Sequence, residues 1–545
     1  MMASKAKKKK EYREKHGRSS RFSIECAGGQ EKKETLLGKT SKIKKFLHLN
    51  GNVDAIEIAL DYWLTHNMPS ASSNTHTSAS SEGNLEPESW YTPLERHETE
   101  QPIFFTTEKT VKKLVSLVEH HSRICQAELQ LQEVVLHGHA ATIAFKCQVS
   151  EHYVRWPSSP HLPNSEAYVN LRFFFGQLTS GLLPSQYENV VKAVGMGHLG
   201  WRKEKTYTNE LSSHISEAMK ESCKAALDEE KGTYPDVEAN GINIMTDARH
   251  GGRRNAFDCD VICLGHNKHR VIRSEHVSKE DEMSSQKHEA LGTKRMYEFF
   301  DAEQVKINIH AHDNNGTINK IIREHRGPGG KETLNQNDTW HAAKSFSREI
   351  NKVCKGPKYK DGETWHSELI DKPDGARKRA QQVIRNCDKN PNTIRMKLEQ
   401  IPNHYKDNHL NCDAISSCKT NINYRLEKIR ITSPIAEQLL LSSIKKTEIY
   451  RHAEHYTEAM DTFYVESFNN TLNIFHDKRV VFKKQQFEIR TNLAVVHWNE
   501  NIDRDYSSIT EIDDPLNPFK QRKVLKDYTT NYKNNIWNKW MDSIF

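Results

Sequence analysis

The sequence predicts an α/β protein whose core is a mixed sheet with flanking helices, interrupted by a helical insertion. Three observations point there. First, four strand-like runs, INIMTDARH, FDCDVICLG, HRVIRSEHV and VKINIHAHDNN, lie between Gly241 and Asn315. Second, one helical stretch, HEALGTKRMYEFFDA, separates the third run from the fourth. Third, the first run ends around Asp247 and the fourth at Asp313, each followed by turn and helix residues. Three antiparallel strands, a crossover helix and a parallel strand make an RNase H-like core, in which the first and fourth strands are neighbours. Neighbouring strands lie about 4.8 Å apart, so Asp247 and Asp313 can share a divalent cation.

Composition narrows the setting. The chain has 545 residues, enough for three to four domains at about 150 residues each. Its apolar fraction is 36% and its mean hydropathy −0.80, yet 9 Trp, 18 Tyr and 19 Phe are enough to fill cores. No apolar run approaches the roughly 20 residues of a membrane span, and no signal-peptide h-region follows the first lysines, so a soluble intracellular protein is expected. Ten scattered cysteines suit reduced thiols or a metal site better than a disulfide framework. A net charge of +7 favours a polyanionic partner only mildly.

Taken in order, residues 1–95 form a basic, mostly disordered region with one short helix. Lys7 to Lys10 are contiguous and Lys42, Lys44 and Lys45 cluster again, which reads as a nuclear-import signal, a phosphate-binding arm or a solvated tail. Ile56, Ala59, Leu60, Trp63 and Leu64 have amphipathic helical spacing, and a Ser/Asn/Thr-rich linker covers 69–89. An α+β domain is expected over 96–238. There His120, His121, Cys125, Cys147 and His152 could gather a zinc ion, though their spacing matches no ligand rule. The first part of the core covers 239–350.

After Asp313 come the helix TINKIIREHR, a turn at Gly327 to Gly330, a short run ETLNQND, and the helix DTWHAAKSFSREINKVC. Asp338 and His341 stand there as D-x-x-H, for which an N-cap and a surface histidine are the ordinary explanation. The polar helical stretch 351–450 is too long for a loop and reads as the insertion. It carries His404, His409, Cys412 and Cys418 as H-x4-H-x2-C-x5-C, which is either a structural Zn²⁺ site or two free thiols with surface histidines. The last core helices cover 451–510 and a basic, aromatic tail covers 511–545.

The third acid lies in DTFYVESFNNTLNIF. On a helix, Val465, Phe468, Leu472 and Phe475 form a buried stripe, and Glu466, Asn470 and Asn473 fall on a polar edge. That edge can face the strand ends. Three carboxylates there suit Mg²⁺ or Mn²⁺, hard cations held by a few carboxylates plus substrate phosphate oxygens, and so metal-dependent phosphoryl chemistry. The acids are 66 and 153 residues apart. The second interval is far too long for a bare core, and the insertion accounts for it.

In detail the chain resembles the DDE transposases of animal cut-and-paste DNA transposons, most of all the Kolobok-like group. The resemblance rests on SSPHLPNSEAYVNLRFFFGQLTSGLLPSQYENV, TDARHGGRRNAFDCDV, AHDNNGTINKIIRE, NDTWHAAKS and VESFNN, in that order and spacing, over about 130–505. It implies that Asp247, Asp313 and Glu466 are the catalytic, metal-binding triad, and that Asp338, His341 and Asn470 contact the DNA end. It implies a nuclear enzyme that works as a homo-oligomer on double-stranded DNA, both terminal inverted repeats and target, by strand cleavage and transfer. The chain departs from the family in that the zinc-finger-like N-terminal head is missing or replaced by the Lys-rich 1–90 region, in that the paired cysteines usual before the core are reduced to Cys125 and Cys147, and in having Asn469 where His is usual. The alternative function is that of a domesticated, non-catalytic DNA-binding protein, and a simple nuclease is disfavoured by the long insertion.

Overall fold

The computed structural model describes residues 101–545 apart from Gln126, Arg253, Arg254, Ile415, Glu427 and 513–520. The lysine clusters, the helix expected around 56–64 and the linker at 69–89 lie outside the described residues. Helix α1 (Glu108–Cys125) leads into an antiparallel meander of β1 (Leu129–His137), β2 (Ala140–Cys147) and β3 (Tyr153–Pro157). The tight β1–β2 turn requires Gly138 at φ +65°. It is fastened from outside: Asn170 accepts from the His139 N–H at 2.8 Å and donates to the His137 carbonyl at 2.9 Å. Helices α2 (Tyr168–Thr179), α3 (Pro184–Val194) and the 31-residue α4 (Trp201–Lys231) follow.

The central sheet holds β4 (Ile242–His250), β5 (Asp258–Gly265), β6 (Val271–Ser278), β7 (Ile307–His312) and β8 (Leu334–Asn337) in the order β6-β5-β4-β7-β8. The first three are antiparallel, and β7 and β8 run parallel to β4. This is the mixed, RNase H-like arrangement expected. Every residue of β5 is buried, as a strand covered on both faces must be. Crossover helix α5 (His288–Ala302) lies close on it at Gly292, where an added Cβ would stand 2.5 Å from Val261 Cγ2. Glycine there gives up about 1 kcal/mol of helix propensity for that close approach.

Strand β8 was not expected. Its sequence, Leu-Asn-Gln-Asn, has no apolar alternation, but Asn335, Gln336 and Asn337 are buried. Their side chains make this possible. Asn335 bonds His312 Nε2 at 2.8 Å, and Gln336 accepts from the Glu458 N–H at 2.9 Å. Satisfied amides replace the apolar contacts that a strand normally uses.

After α6 (Gly316–Glu324) and β8, helix α7 (Thr339–Asn351) opens the insertion. With α8 (Pro373–Arg385), α9 (Pro391–Glu399), α10 (Ile401–Tyr405), α11 (Pro434–Lys445) and α12 (Glu448–Arg451) it builds a hydrophobic core of its own, running from Ala342 to Tyr456. The chain returns to the sheet with α13 (Phe463–Phe475) and α14 (Lys484–Asn501). Val465, Phe468, Leu472 and Phe475 are the buried residues of α13, as their spacing predicts. The hairpin β9 (Tyr506–Glu511) and β10 (Gln521–Leu525) leads to α15 (Asn531–Ile544). The last segment is therefore more than a tail. Tyr532, Ile536 and Trp540 recur every four residues and are buried with Trp537 in the same core as α2, α4 and α13.

Neutral histidines are built into this core. His139, His312, His476 and His497 are almost fully buried, and burial pushes each down to about 4. A depressed histidine stabilises the fold above its ordinary 6.5 and loses that contribution as pH falls toward its folded value. At about 1.36 kcal/mol per unit each such group contributes on the order of a few kcal/mol at most, so together they are a sizeable share of a domain's stability. Cooperative unfolding is therefore expected between pH 6.5 and 4. Circular dichroism melts at pH 7, 5.5 and 4.5 would check this, and a melting temperature unchanged across that range would refute it.

Candidate active site

Strand register brings the first two acids together. The parallel pairing of β4 with β7 runs to Met245 opposite Ala311, and two residues further on Asp247 stands beside Asp313. Asp313 is the first residue past β7. Asp247, however, is not at the end of its strand: β4 continues to His250 through its pairing with β5. It sits where β7 leaves the sheet, which opens one side of its carboxylate.

The third acid arrives on α13, held to β4 by Arg249. This guanidinium is buried and donates to the Asn469 carbonyl, to Asn473 Oδ1 at 2.8 Å and to the His476 carbonyl at 3.1 Å. The clamp turns the polar edge of α13 to the strand ends. Glu466 lies in its first turn, and Asn469, one turn on, donates to Asp247 Oδ2 at 2.7 Å. The other Asp247 oxygen accepts from the Ala248 N–H at 2.8 Å. Asn469, where histidine was the usual residue, thus touches the site directly. Asn470 is exposed beyond Glu466.

Asp338 and His341 have different places. Asp338 is 3% exposed and caps α7, accepting from the His341 N–H at 2.6 Å and from the Thr462 N–H and Oγ1, both at 2.7 Å. It is the N-cap that the ordinary explanation foresaw, and it also fastens the approach to α13. His341 is no detached surface residue. Its Nδ1 is 3.3 Å from both Asp313 and Asp338, and its Nε2 is 3.4 Å from Glu466. Beside it Trp340 is 42% exposed, with the Lys344 ammonium 3.1 Å from its ring centre.

A fourth carboxylate joins them. Glu289, in the first turn of α5, accepts from Asn315 Nδ2 at 2.8 Å, and Asn315 caps the helix that follows Asp313. The sequence offered no reason to single it out, because an acid in a first helical turn is ordinary. The electrostatics mark it. Asp247 is pushed up to about 7, first by burial and then by the charges of Asp313, Glu289 and Glu466. Asp313 and Glu289 are raised too, again chiefly by burial.

Crowded carboxylates whose nearest cationic candidate is a half-exposed imidazole are a donor set that fits a hard divalent cation. Asp313, Asp338 and Glu466 stand around His341. The ligand atoms here that lie within 4.8 Å of one another belong to Asp313, Asp338 and His341, and not to Asp247, Asp313 and Glu466.

The family model described as Mutator-like transposase matches residues 103–281 and 258–418, more than half of the chain. The chain belongs to the Mutator-like transposase family. Its activity class is therefore that of a transposase, which acts on DNA by nuclease and transferase chemistry and in general uses divalent metal. The matched span of this Mutator-like chain contains Asp247, Glu289, Asp313, Asp338 and His341, and Glu466 lies beyond it. The match names Mutator-like transposases and not the Kolobok-like group that the motifs resemble. No curated protein matches the chain.

Two His/Cys groups lie apart from the carboxylates. In the insertion of the Mutator-like chain, ligand atoms of His404, His409, Cys412 and Cys418 come within 4.8 Å of one another. In the N-terminal domain His121, Cys125 and Cys147 do likewise, with the two sulfurs 3.4 Å apart. No helix among the described residues is long and apolar enough to cross a membrane.

Proposed function

We propose that this chain is a catalytically competent DDE transposase that cleaves DNA at transposon ends and transfers the freed strand, with Asp247, Asp313 and Glu466 holding Mg²⁺ or Mn²⁺. One observation carries the reading most of the way. Asp247 on β4 and Asp313 just past the end of the neighbouring β7 are joined by a helix acid from 153 residues further along the chain, and burial first, then the charges of Asp313, Glu289 and Glu466, lift Asp247 to about 7. Repulsion of that kind costs stability unless a cation relieves it. Bound divalent cations would orient and neutralise the attacking and leaving oxygens of an in-line displacement. The protein's own groups do the rest: Asn469 orients Asp247, Asp338 fixes the first turn that carries His341, and the imidazole lies between Asp313 and Glu466, where it can contact a DNA-end phosphate.

Double-stranded DNA with terminal inverted repeats, a homo-oligomeric assembly, nuclear action and the Kolobok-like subgroup belong to the same proposal and rest on the motif resemblance. The test is Mg²⁺- or Mn²⁺-dependent cleavage and strand transfer by the full chain on DNA bearing the element's own ends. DNA that is bound but never cut would favour the domesticated binding protein instead.

The hydrogen bond from Asn469 gives a sharper expectation. Asn469→Ala should lower single-turnover cleavage about 10–100-fold, the usual cost of losing a group that orients a metal ligand, with DNA affinity unchanged. Cleavage at the wild-type rate would remove Asn469 from the site.

A further inference from the structure

We propose that His404, His409, Cys412 and Cys418 bind one structural Zn²⁺, through both Nδ1 atoms and both thiolates, and that this ion fastens the outer segment of the insertion. The site is independent of the carboxylate reading. Its geometry is the first argument. His404 Nδ1 and His409 Nδ1 are 2.9 Å apart, and Cys412 Sγ is 3.5 and 3.8 Å from them. A tetrahedron with Zn–N of about 2.05 Å and Zn–S of about 2.3 Å has edges of about 3.3 Å between nitrogens and about 3.5 Å between nitrogen and sulfur. The observed edges match within a few tenths of an ångström, and Cys418 Sγ completes a group in which all four ligand atoms are within 4.8 Å of one another.

The outward-facing nitrogens supply the second argument. His409 Nε2 is 3.1 Å from Asp407 Oδ1, and a carboxylate only accepts, so Nε2 carries a proton and Nδ1 is the nitrogen whose lone pair the neutral ring offers to a metal. That lone pair faces His404 Nδ1. His404 Nε2 in turn meets the Tyr424 hydroxyl at 3.3 Å. Each ring is thus held by its far nitrogen with its near nitrogen turned inward, as metal-bound histidines are.

A positive charge, that of Arg379, also stands beside this group. One of its Nη atoms lies 2.7 and 2.8 Å from the two ring nitrogens of His404. Those nitrogens point apart, so an atom close to both lies over the ring face and leaves the in-plane lone pair of Nδ1 open. Its N–H groups also approach the sulfurs of Cys412 and Cys418, at 3.8 and 3.9 Å, and a guanidinium there favours the thiolates that zinc requires. Two thiolates and Zn²⁺ together carry no net charge, so the guanidinium meets a neutral centre.

The segment also needs such a fastening. Between α10 and α11 the described residues contain one helix of four residues, Ser417–Thr420, and Leu410 and Ile422 are 78% and 98% exposed. With so little apolar burial, a metal cross-link is what can offset the entropy of ordering it. N₂S₂ donors in tetrahedral array select Zn²⁺ over Mg²⁺ or Ca²⁺.

The test is metal analysis of the full-length chain purified under reducing conditions without chelator. About one zinc per chain is expected. Cys418→Ser and His409→Ala should lose it, and Asp313→Ala should keep it. If those variants fail to fold, the wild-type chain reconstituted with Co²⁺ decides, because two thiolates in a tetrahedral site give a sulfur-to-cobalt charge-transfer band together with intense d–d bands. Sub-stoichiometric zinc without that band would overturn the proposal. So would zinc retained in a folded Cys412→Ser/Cys418→Ser double variant. Either result would leave the carboxylate site untouched.

Discussion

Asp313→Asn is expected to abolish DNA cleavage, by about 10³-fold or more, while leaving the apo protein as stable as the wild type or more stable. Removing a metal carboxylate forfeits several kcal/mol of transition-state charge stabilisation, and each 1.36 kcal/mol is tenfold in rate. The fold has little to lose in exchange. Asp313 is half-exposed at the end of β7, and the group nearest its carboxylate is His341, 3.3 Å away. Its charge burdens its neighbours, since it is second only to burial in raising Asp247 to about 7. A carboxyl raised in this way contributes most below its ordinary 3.8 and loses that contribution as pH rises through 7. Asp313→Asn should therefore raise the melting temperature at pH 8.5 more than at pH 5.5, and Mg²⁺ should stabilise the wild type most at the higher pH. Single-turnover cleavage and thermal melts at both values would check this. Cleavage retained to within tenfold would take Asp313 out of the triad.

Arg249→Met should be the other severe change, and it should act on both stability and rate. Two effects compete. Among the described residues the buried guanidinium has no carboxylate within ion-pair distance, and only the more distant Asp260, Asp477 and Asp247 favour its charge, so its removal recovers some desolvation. Against that, the carbonyls of Asn469 and His476 and the amide oxygen of Asn473 lose their donor. Unsatisfied buried acceptors cost about 1–3 kcal/mol each, and three of them outweigh the recovered desolvation. A net loss of about 2–4 kcal/mol is expected, in urea unfolding. Cleavage should fall further than stability suggests. Without the clamp α13 shifts on β4, and a 1 Å misplacement of catalytic groups costs about 10²-fold. Phe468→Ala provides the contrast. It sits on the same helix, is fully buried against Trp498, and should cost about 3–5 kcal/mol. Were Arg249→Met to match wild type in rate at a temperature where both are folded, the clamp would have no part in catalysis.

These residues show what could be read from the chain and what could not. The order of the first four core strands, the crossover helix and the apolar face of α13 follow from periodicity, because each buries apolar side chains at regular spacing. Strand β8 does not, because hydrogen-bonded amides bury it and polar residues carry no periodic signal. Helix α15 could have been found: Tyr532, Ile536 and Trp540 have helical spacing that its basic and aromatic composition obscured. For D-x-x-H, the ordinary explanation holds for Asp338 and fails for His341, which is not an isolated surface residue. Asp338 is the cap, and the cap carries His341 to the acids. Glu289 and Arg249 were not visible at all, since their roles arise from contacts between segments far apart in sequence.

The bonds around Asp338 have a consequence for how this chain can change over time. Asp338 grips Thr462 across 124 residues of sequence, the Thr339 N–H donates to the Met460 carbonyl at 3.1 Å, and Gln336 holds Glu458. Entry and exit of the insertion are thus sutured at a single neck. Whatever is looped out beyond it can lengthen, shorten or be exchanged for another module without passing its displacement on to Glu466. The neck makes the insertion a replaceable cassette, and it separates the tempo at which the cassette can diverge from that of the carboxylates beneath it.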